Sequence, residues 1–262
     1  MRPLASFLQT SSLRICGLTV TAALTISAWA SNPSVSDLLK KGDALDAQLE
    51  SSAALAVFLE AEKLEPNNAD LLRRIAKTYD ESMTDVSAKA EKRALAEKGL
   101  AYAKRAVAAD PKNGTAHLAL AICYGRLAPY LDNKTKIAYS KLVKEHTDKA
   151  LELDPSQDYA YHVLGAWNYG LSDLNPILRA IAKLIYGDLP EASFEAAEKH
   201  FKQAAVMAPH RVAHHVELGR TYLALGKTDL ARLELNKGLS LPSREKDDAE
   251  TKSRAQEILK KL

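Results

Sequence analysis

His210, His214 and His215 are the residues whose spacing first suggests chemistry, because histidines at i and i+4 share a helix face and can hold a divalent cation. No cysteine or suitably placed carboxylate completes a tetrahedral set, and two of these positions fall in a periodic helical pattern, so no metal site is expected. Leu225-Gly226-Lys227-Thr228 ends like a phosphate loop, but Thr221 stands where that loop needs a glycine, and no strand precedes it. The chain carries no G-x-S-x-G, no H-E-x-x-H and no convincing nucleophile–base pair. It is expected to be non-catalytic, with no cofactor.

Apolar residues make up 47% of the 262 and aromatics only 6%, with alanine-rich segments recurring. That is the usage of packed helices rather than of a sandwich or a parallel sheet. The first thirty residues hold Arg2 and Arg14 but no acid. They continue into an apolar run, Ile15 to Trp29, which is too short for a comfortable membrane span, and then Ala28-Trp29-Ala30. The expectation is a secretory signal peptide over 1–30, with an uncleaved anchor or an organellar transit peptide as rivals. Cleavage would move the formal charge from +3 to +1, which argues against nucleic acid as the main partner and leaves no stable membrane span. The exported chain would keep one cysteine, Cys123, and no disulfide; its place in the apolar stretch AHLALAICY predicts burial.

Five segments share one ending: AVFLEAEKLEP, AYAKRAVAADP, HTDKALELDP, FKQAAVMAP and LNKGLSLP. Each is a helix that stops at a proline, which lacks the N–H to continue the ladder and pushes the preceding residue out of the α region. The segments after the prolines align too, on a small residue (Ala76, Ala121, Gly165, Gly219) followed in three of them by tyrosine. Ser34 to Leu45 is a further copy, with Gly42 as its small residue. This resembles the tetratricopeptide pattern, in which small residues let helix A and helix B of each unit cross closely. The B-helix matches are Ala54, Phe58 and Ala61 in the first unit, and Ala197, Phe201 and Ala204 in the fourth.

Pro66, Pro111, Pro155, Pro209 and Pro242 lie 45, 44, 54 and 33 residues apart, against a norm of about 34. The first two excesses are close to three helical turns, which lengthens an arm without rotating its apolar face. Ser87–Ala109 and Asn133–Leu153 are the expected lengthened helices, and Arg244 to Leu262 is expected to cap the stack through Ala255, Ile258, Leu259 and Leu262. The fourth unit carries an insert. Asn175-Pro176 starts a helix, Ile177, Leu178, Ile181, Leu184 and Ile185 share a face, and Gly187 ends it. It is expected either to cover core between the fourth and fifth units or to dock a partner or membrane surface.

The order of Leu164, Gly165, Trp167 and Tyr169, then Ile181 and Gly187, then Pro190, Ser193, Phe194, Ala197 and Phe201, resembles the regulator of microtubule dynamics family. Lys136-Ile137 and the run Lys144 to Pro155 support it, and the likeness spans roughly 35–240. It implies an interaction protein of enlarged tetratricopeptide-like repeats, associated in animals with microtubules, spindle poles and mitochondrial membranes. An export signal would depart from that, since it keeps the chain from tubulin.

The expected fold is therefore an all-α, right-handed tetratricopeptide-like solenoid over 31–262, of about five units with enlarged repeats and a C-terminal capping helix. Its concave face, lined by the A helices, would present Arg73, Lys77, Leu118, Ile122, Arg126, Tyr159, His162, Tyr169 and Arg220. A groove apolar in the middle with basic points on both sides suits an acidic or C-terminal-carboxylate peptide with apolar anchors; an ordinary solvated inner face is the other reading. The Lys/Asn clamp of chaperone-tail-binding members is not expected, since Leu39 and Asp43 stand in its place. The function expected is a protein-binding scaffold exported to a bacterial periplasm, with a microtubule- or mitochondrion-associated adaptor as the alternative.

Overall fold

The computed structural model describes residues 33–187 and 191–262, so the expected signal segment over 1–30 lies outside the described residues. Among the described residues the chain forms α-helices and two short 3-10 turns, with no strand. The helices pair as α1 (Val35–Ala47) with α2 (Ser51–Leu64), α3 (Ala69–Glu81) with α4 (Lys89–Ala109), and α5 (Gly114–Leu127) with α6 (Asn133–Leu153). The fourth pair is α7 (Asp158–Ser172) with α9 (Phe194–Met207), interrupted by α8 (Pro176–Tyr186), and the fifth is α10 (Val212–Ala224) with α11 (Thr228–Ser240). The last helix, α12 (Asp248–Leu259), packs on α10 and α11. Each second helix also meets the first helix of the next unit, and α3, α5, α7 and α10 touch in series. The result is a tetratricopeptide-like right-handed solenoid. None of the described helices is long and apolar enough to cross a membrane.

Local chemistry sets most boundaries. Ser34 caps α1 in a capping box with Asp37, and the side chains of Asn68, Asn113, Asp132, Asn175 and Ser193 accept from free N–H groups at the starts of α3, α5, α6, α8 and α9. Before the prolines, Glu65 and Asp110 sit at φ −132°, ψ 77° and φ −143°, ψ 93°. Asp154 follows at φ −149°, ψ 96°. This extended backbone is what the proline ring imposes on its predecessor. The helix after Met83 begins at Lys89 rather than Ser87, because Ser82–Asp85 is a 3-10 turn and Ala88 is extended.

The core lies between the two helices of each pair and between successive pairs. Phe58 and Phe201 are almost wholly buried, each facing a helix A glycine: Gly42 lies against the Phe58 ring, and a Cβ on Gly165 would come 2.8 Å from the Phe201 ring. Ala76, Leu100, Ala103, Leu120, Val143, Val163 and Trp167 form the central cluster around the lengthened α4 and α6. Cys123 is buried in the same cluster, and burial raises its thiol pKa.

Two further expectations need correction. First, α8 packs on α6 of the third unit rather than at the junction of the fourth and fifth. Ala182 is its buried residue, and Tyr186 Oη lies 2.8 Å from Ser140 Oγ. Ile177 and Leu184 remain 70% and 83% exposed. Second, the C-terminal helix starts at Asp248, not Arg244. Ala255, Ile258 and Leu259 meet Val212, Val216 and Leu235 as expected, but Leu262 lies past the helix end and stays 38% exposed.

Candidate functional site

The inner face holds two adjoining cavities. One of about 490 Å³ has Ile137, Val163, Trp167 and Leu171 as an apolar wall, with Arg126, Arg220 and Arg254 among its charged lining. The other, about 410 Å³, is bounded by Arg73, Lys77, Asp80, Leu118, Arg211 and Lys246. Ile122, Arg126, Tyr159 and Asp247 border both. Every residue expected in the groove except Tyr169 lines one or both. Tyr169 instead packs edge-on against Phe194 at 5.1 Å, under the Arg220 guanidinium at 4.2 Å, so it positions Arg220.

Most of the cations on this face are already paired. Arg73 reaches Asp70 at 2.7 Å, Arg220 reaches Glu217 at 2.8 Å, and Lys77 contacts Asp46 at 2.8 Å and Glu81. Arg126 Nε lies 3.0 Å from Asp80 of α3, and its Nη2 lies 2.8 Å from Asp247, just before α12. Arg254 of α12 shares Glu217 with Arg220 at 2.7 Å. The pairs Asp70–Arg73 and Glu217–Arg220 sit at i,i+3 and were open to reading from spacing. The long-range carboxylates Asp46, Asp80 and Asp247 carry no local signal.

These surroundings tune the titratable groups. Asp80 beside it raises the Arg126 pKa, against the opposing effect of burial. Burial pushes Asp80 up, with Arg126 pulling the other way. Burial pushes Glu81 up to about 8, opposed by Lys77, and pushes Tyr159 up to about 12, with Asp247 adding. His162 falls well below the usual imidazole value of 6.5, through burial and then the neighbouring His214.

The histidine cluster is resolved by its hydrogen bonds. His214 faces α7, its Nδ1 3.0 Å from His162 Nδ1 and its Nε2 2.9 Å from Asp158 Oδ2. His215, the next residue, points to α11, its Nδ1 2.6 Å from Glu234 and its Nε2 3.0 Å from the Pro209 carbonyl. Both rings have protein partners at both nitrogens, which leaves no nitrogen free for an ion. Asp158 and Glu234 stand beside these histidines as hydrogen-bond partners, each on a different ring. Gly226, at φ 71°, ends α10, and Lys227 Nζ contacts Glu198 at 2.6 Å, so the phosphate-loop-like stretch is a helix–helix turn.

A further contact crosses the whole face. Lys246 Nζ donates to the Leu49 carbonyl at 2.8 Å and pairs with Asp85 at 2.9 Å. Leu49 lies in the α1–α2 turn at φ 62°, a left-handed conformation uncommon for a non-glycine residue.

The family described as regulator of microtubule dynamics protein 1-3 matches residues 38–262. Regulator of microtubule dynamics protein 1 of Bos taurus is 32% identical over 198 residues, covering 75% of this chain and 62% of that protein. Its counterpart in Mus musculus is 29% identical over 227 residues, covering 86% and 74%. A solved structure of a thermophilic tetratricopeptide protein from Thermus thermophilus superposes with a TM-score of 0.60 over 86% of this chain and 99% of that one. At 20% identity that likeness is one of fold.

Proposed function

The chain belongs to the regulator of microtubule dynamics family, and from that premise we propose that it is a non-catalytic adaptor that receives a partner peptide on its inner face in a microtubule-associated setting. The observation that carries this reading is the paired cavity around Arg126, where apolar wall and guanidinium groups converge. An extended acidic peptide with apolar anchors suits it. Its carboxylates would exchange onto Arg126, Arg211 or Arg220, and its apolar side chains would enter beside Trp167 and Val163. Aromatic and arginine residues are the usual anchors of such contacts. The microtubule setting is carried over from relatives named for microtubule dynamics.

The test is co-sedimentation of the full chain with microtubules, alone and with Arg73→Glu and Arg126→Glu together. The expected result is pelleting by the wild type and its loss in the double variant. Equal pelleting of the two would remove the inner face as the docking surface. A second reading, an exported scaffold, is favoured by one feature, the acid-free N-terminus ending in Ala28-Trp29-Ala30. A mature chain that begins at Ser31 in an exported fraction would select it, and an intact N-terminus would eliminate it.

A further inference from the structure

The link between α11 and α12 crosses the inner face instead of turning directly into the capping helix. Its residues Ser243 to Asp247 are all polar, and Glu245, Lys246 and Asp247 are half-buried against other units. Glu245 pairs with Arg211, which in turn lies 2.8 Å from Asp158. Lys246 reaches back to Leu49 and Asp85, and Asp247 reaches Arg126. The link thus touches the first, second and third units and the turn before α10.

On either side the chain is anchored by packing. Leu241 lies against the cluster of Val212, Val216 and Leu235, and α12 inserts Ala255 into the same cluster. Asp248 Oδ2 accepts from the N–H groups of Arg244 at 2.7 Å and Glu245 at 2.9 Å, which shapes the turn. Between the anchors no apolar side chain holds the link down. Partly exposed ion pairs each contribute little to stability and are screened by salt. The segment can therefore lift while α11 and α12 stay packed.

We propose that Arg244–Asp247 is an intramolecular ligand of the inner face, and that the external partner is an acidic peptide with two carboxylates two residues apart, which replaces Glu245 on Arg211 and Asp247 on Arg126. This rests on the inner-face reading given above and adds the recognition element, an acidic residue, any residue, then an acidic residue. A closed link lowers the apparent affinity by the fraction of molecules that are open.

The probe is a capped peptide of the link itself, Ser-Arg-Glu-Lys-Asp-Asp-Ala-Glu, with a control in which its acids are replaced by the amides. Its affinity is measured by calorimetry for the full chain, for Lys246→Ala, and for the triple variant Glu245→Ala, Lys246→Ala, Asp247→Ala. Lys246→Ala loosens the link without altering either receiving arginine, so it serves if the triple variant folds poorly. The expected result is binding about tenfold tighter to the loosened variants than to the wild type, lost for the amide peptide and lost when Arg126→Ala is added. Equal Arg126-dependent affinity for wild type and variants would overturn the intramolecular ligand and leave the inner-face site standing. Tighter binding that ignores Arg126→Ala would overturn the proposed site of exchange. Absence of binding to every chain would bring down the inner-face reading and this proposal together.

Discussion

Asp80 and Arg126 form an ion pair across the contact of α3 with α5, Oδ2 to Nε at 3.0 Å, and so tie the second unit to the third at the centre of the inner face. Asp80 is the more enclosed partner, with its side chain 12% exposed against 41% for Arg126. Removing the cation therefore leaves a carboxylate largely out of water. A fully buried broken pair costs about 3–5 kcal/mol, and the exposure of Arg126 reduces this, so Arg126→Met should lose about 1–2 kcal/mol at pH 7. The loss should shrink in acid. Burial already raises the Asp80 pKa, and without Arg126 it rises further; a raised carboxyl gives stability at low pH that disappears as pH climbs through it. Urea midpoints of both proteins at pH 5 and 7 check this. A gap that does not change with pH would mean Asp80 does not sense the arginine.

The histidines give the opposite slope, foremost His162 and His214 beside Tyr159. His162 and His214 are both lowered from 6.5, chiefly by burial, and His146 is lowered by burial and then by His117. Arg126 and Arg211 push His162 the same way, and Asp158 pushes against them. A depressed imidazole contributes stability that is complete above 6.5 and is lost as pH falls toward the folded value, because the unfolded chain takes up the protons first. The chain should therefore destabilise as pH falls below 6.5, and His162→Asn should flatten that slope. Chemical denaturation across that fall measures it; parallel slopes would show that His162 does not contribute.

What was legible in the sequence was local. Asn175, Pro176 and Gly187 bracket the inserted helix, and the pre-proline residues end the B helices, because caps and ring sterics act within one turn. Arg73, Arg126 and Tyr159 were legible as inner-face residues for the same reason, since the repeat register fixes which side of helix A they occupy. Their partners were not. Arg126 and Asp247 are 121 positions apart, and Lys246 and Leu49 are 197 apart. Such contacts depend on how far five stacked pairs curve, a sum of small inter-unit rotations that leaves no pattern in any window of sequence. The helix α8 shows the same limit, because an amphipathic face announces that it will pack and not against what.

Gly165 and Gly170 lie in one helix and should respond oppositely to alanine. Alanine is better than glycine in a helix interior by up to about 1 kcal/mol. At Gly170 nothing lies within 4 Å of the added Cβ, so Gly170→Ala should stabilise by most of that amount. At Gly165 the Cβ would meet the Phe201 ring at 2.8 Å, and that ring is wholly buried with no room to retreat. Overpacking of this kind costs about 1–3 kcal/mol, which exceeds the helix gain. Thermal melts of the two variants should shift in opposite directions, and a stabilised Gly165→Ala would refute the close crossing of α7 and α9.

The inserted helix offers the same comparison between neighbours. Ile177 and Leu184 are 70% and 83% exposed although both are large and apolar, while Ala182 between them is fully buried against α6. If α8 contributes only through its α6-facing side, Ile177→Ser and Leu184→Ser should change stability by no more than about 0.5 kcal/mol. Ala182→Glu forces a charge into the α6 contact, where it has no room and no designed partner, and should cost several times more. Trp167 gives the readout, since its Nε1 donates to the Ser140 carbonyl at 2.9 Å and Tyr186 of α8 contacts the same serine. In a Trp29→Phe background, Ala182→Glu should red-shift Trp167 emission as α8 lifts and water reaches the ring. The two serine variants should leave the spectrum where it is; a red shift in either would mean that the exposed face of α8 also holds the helix in place.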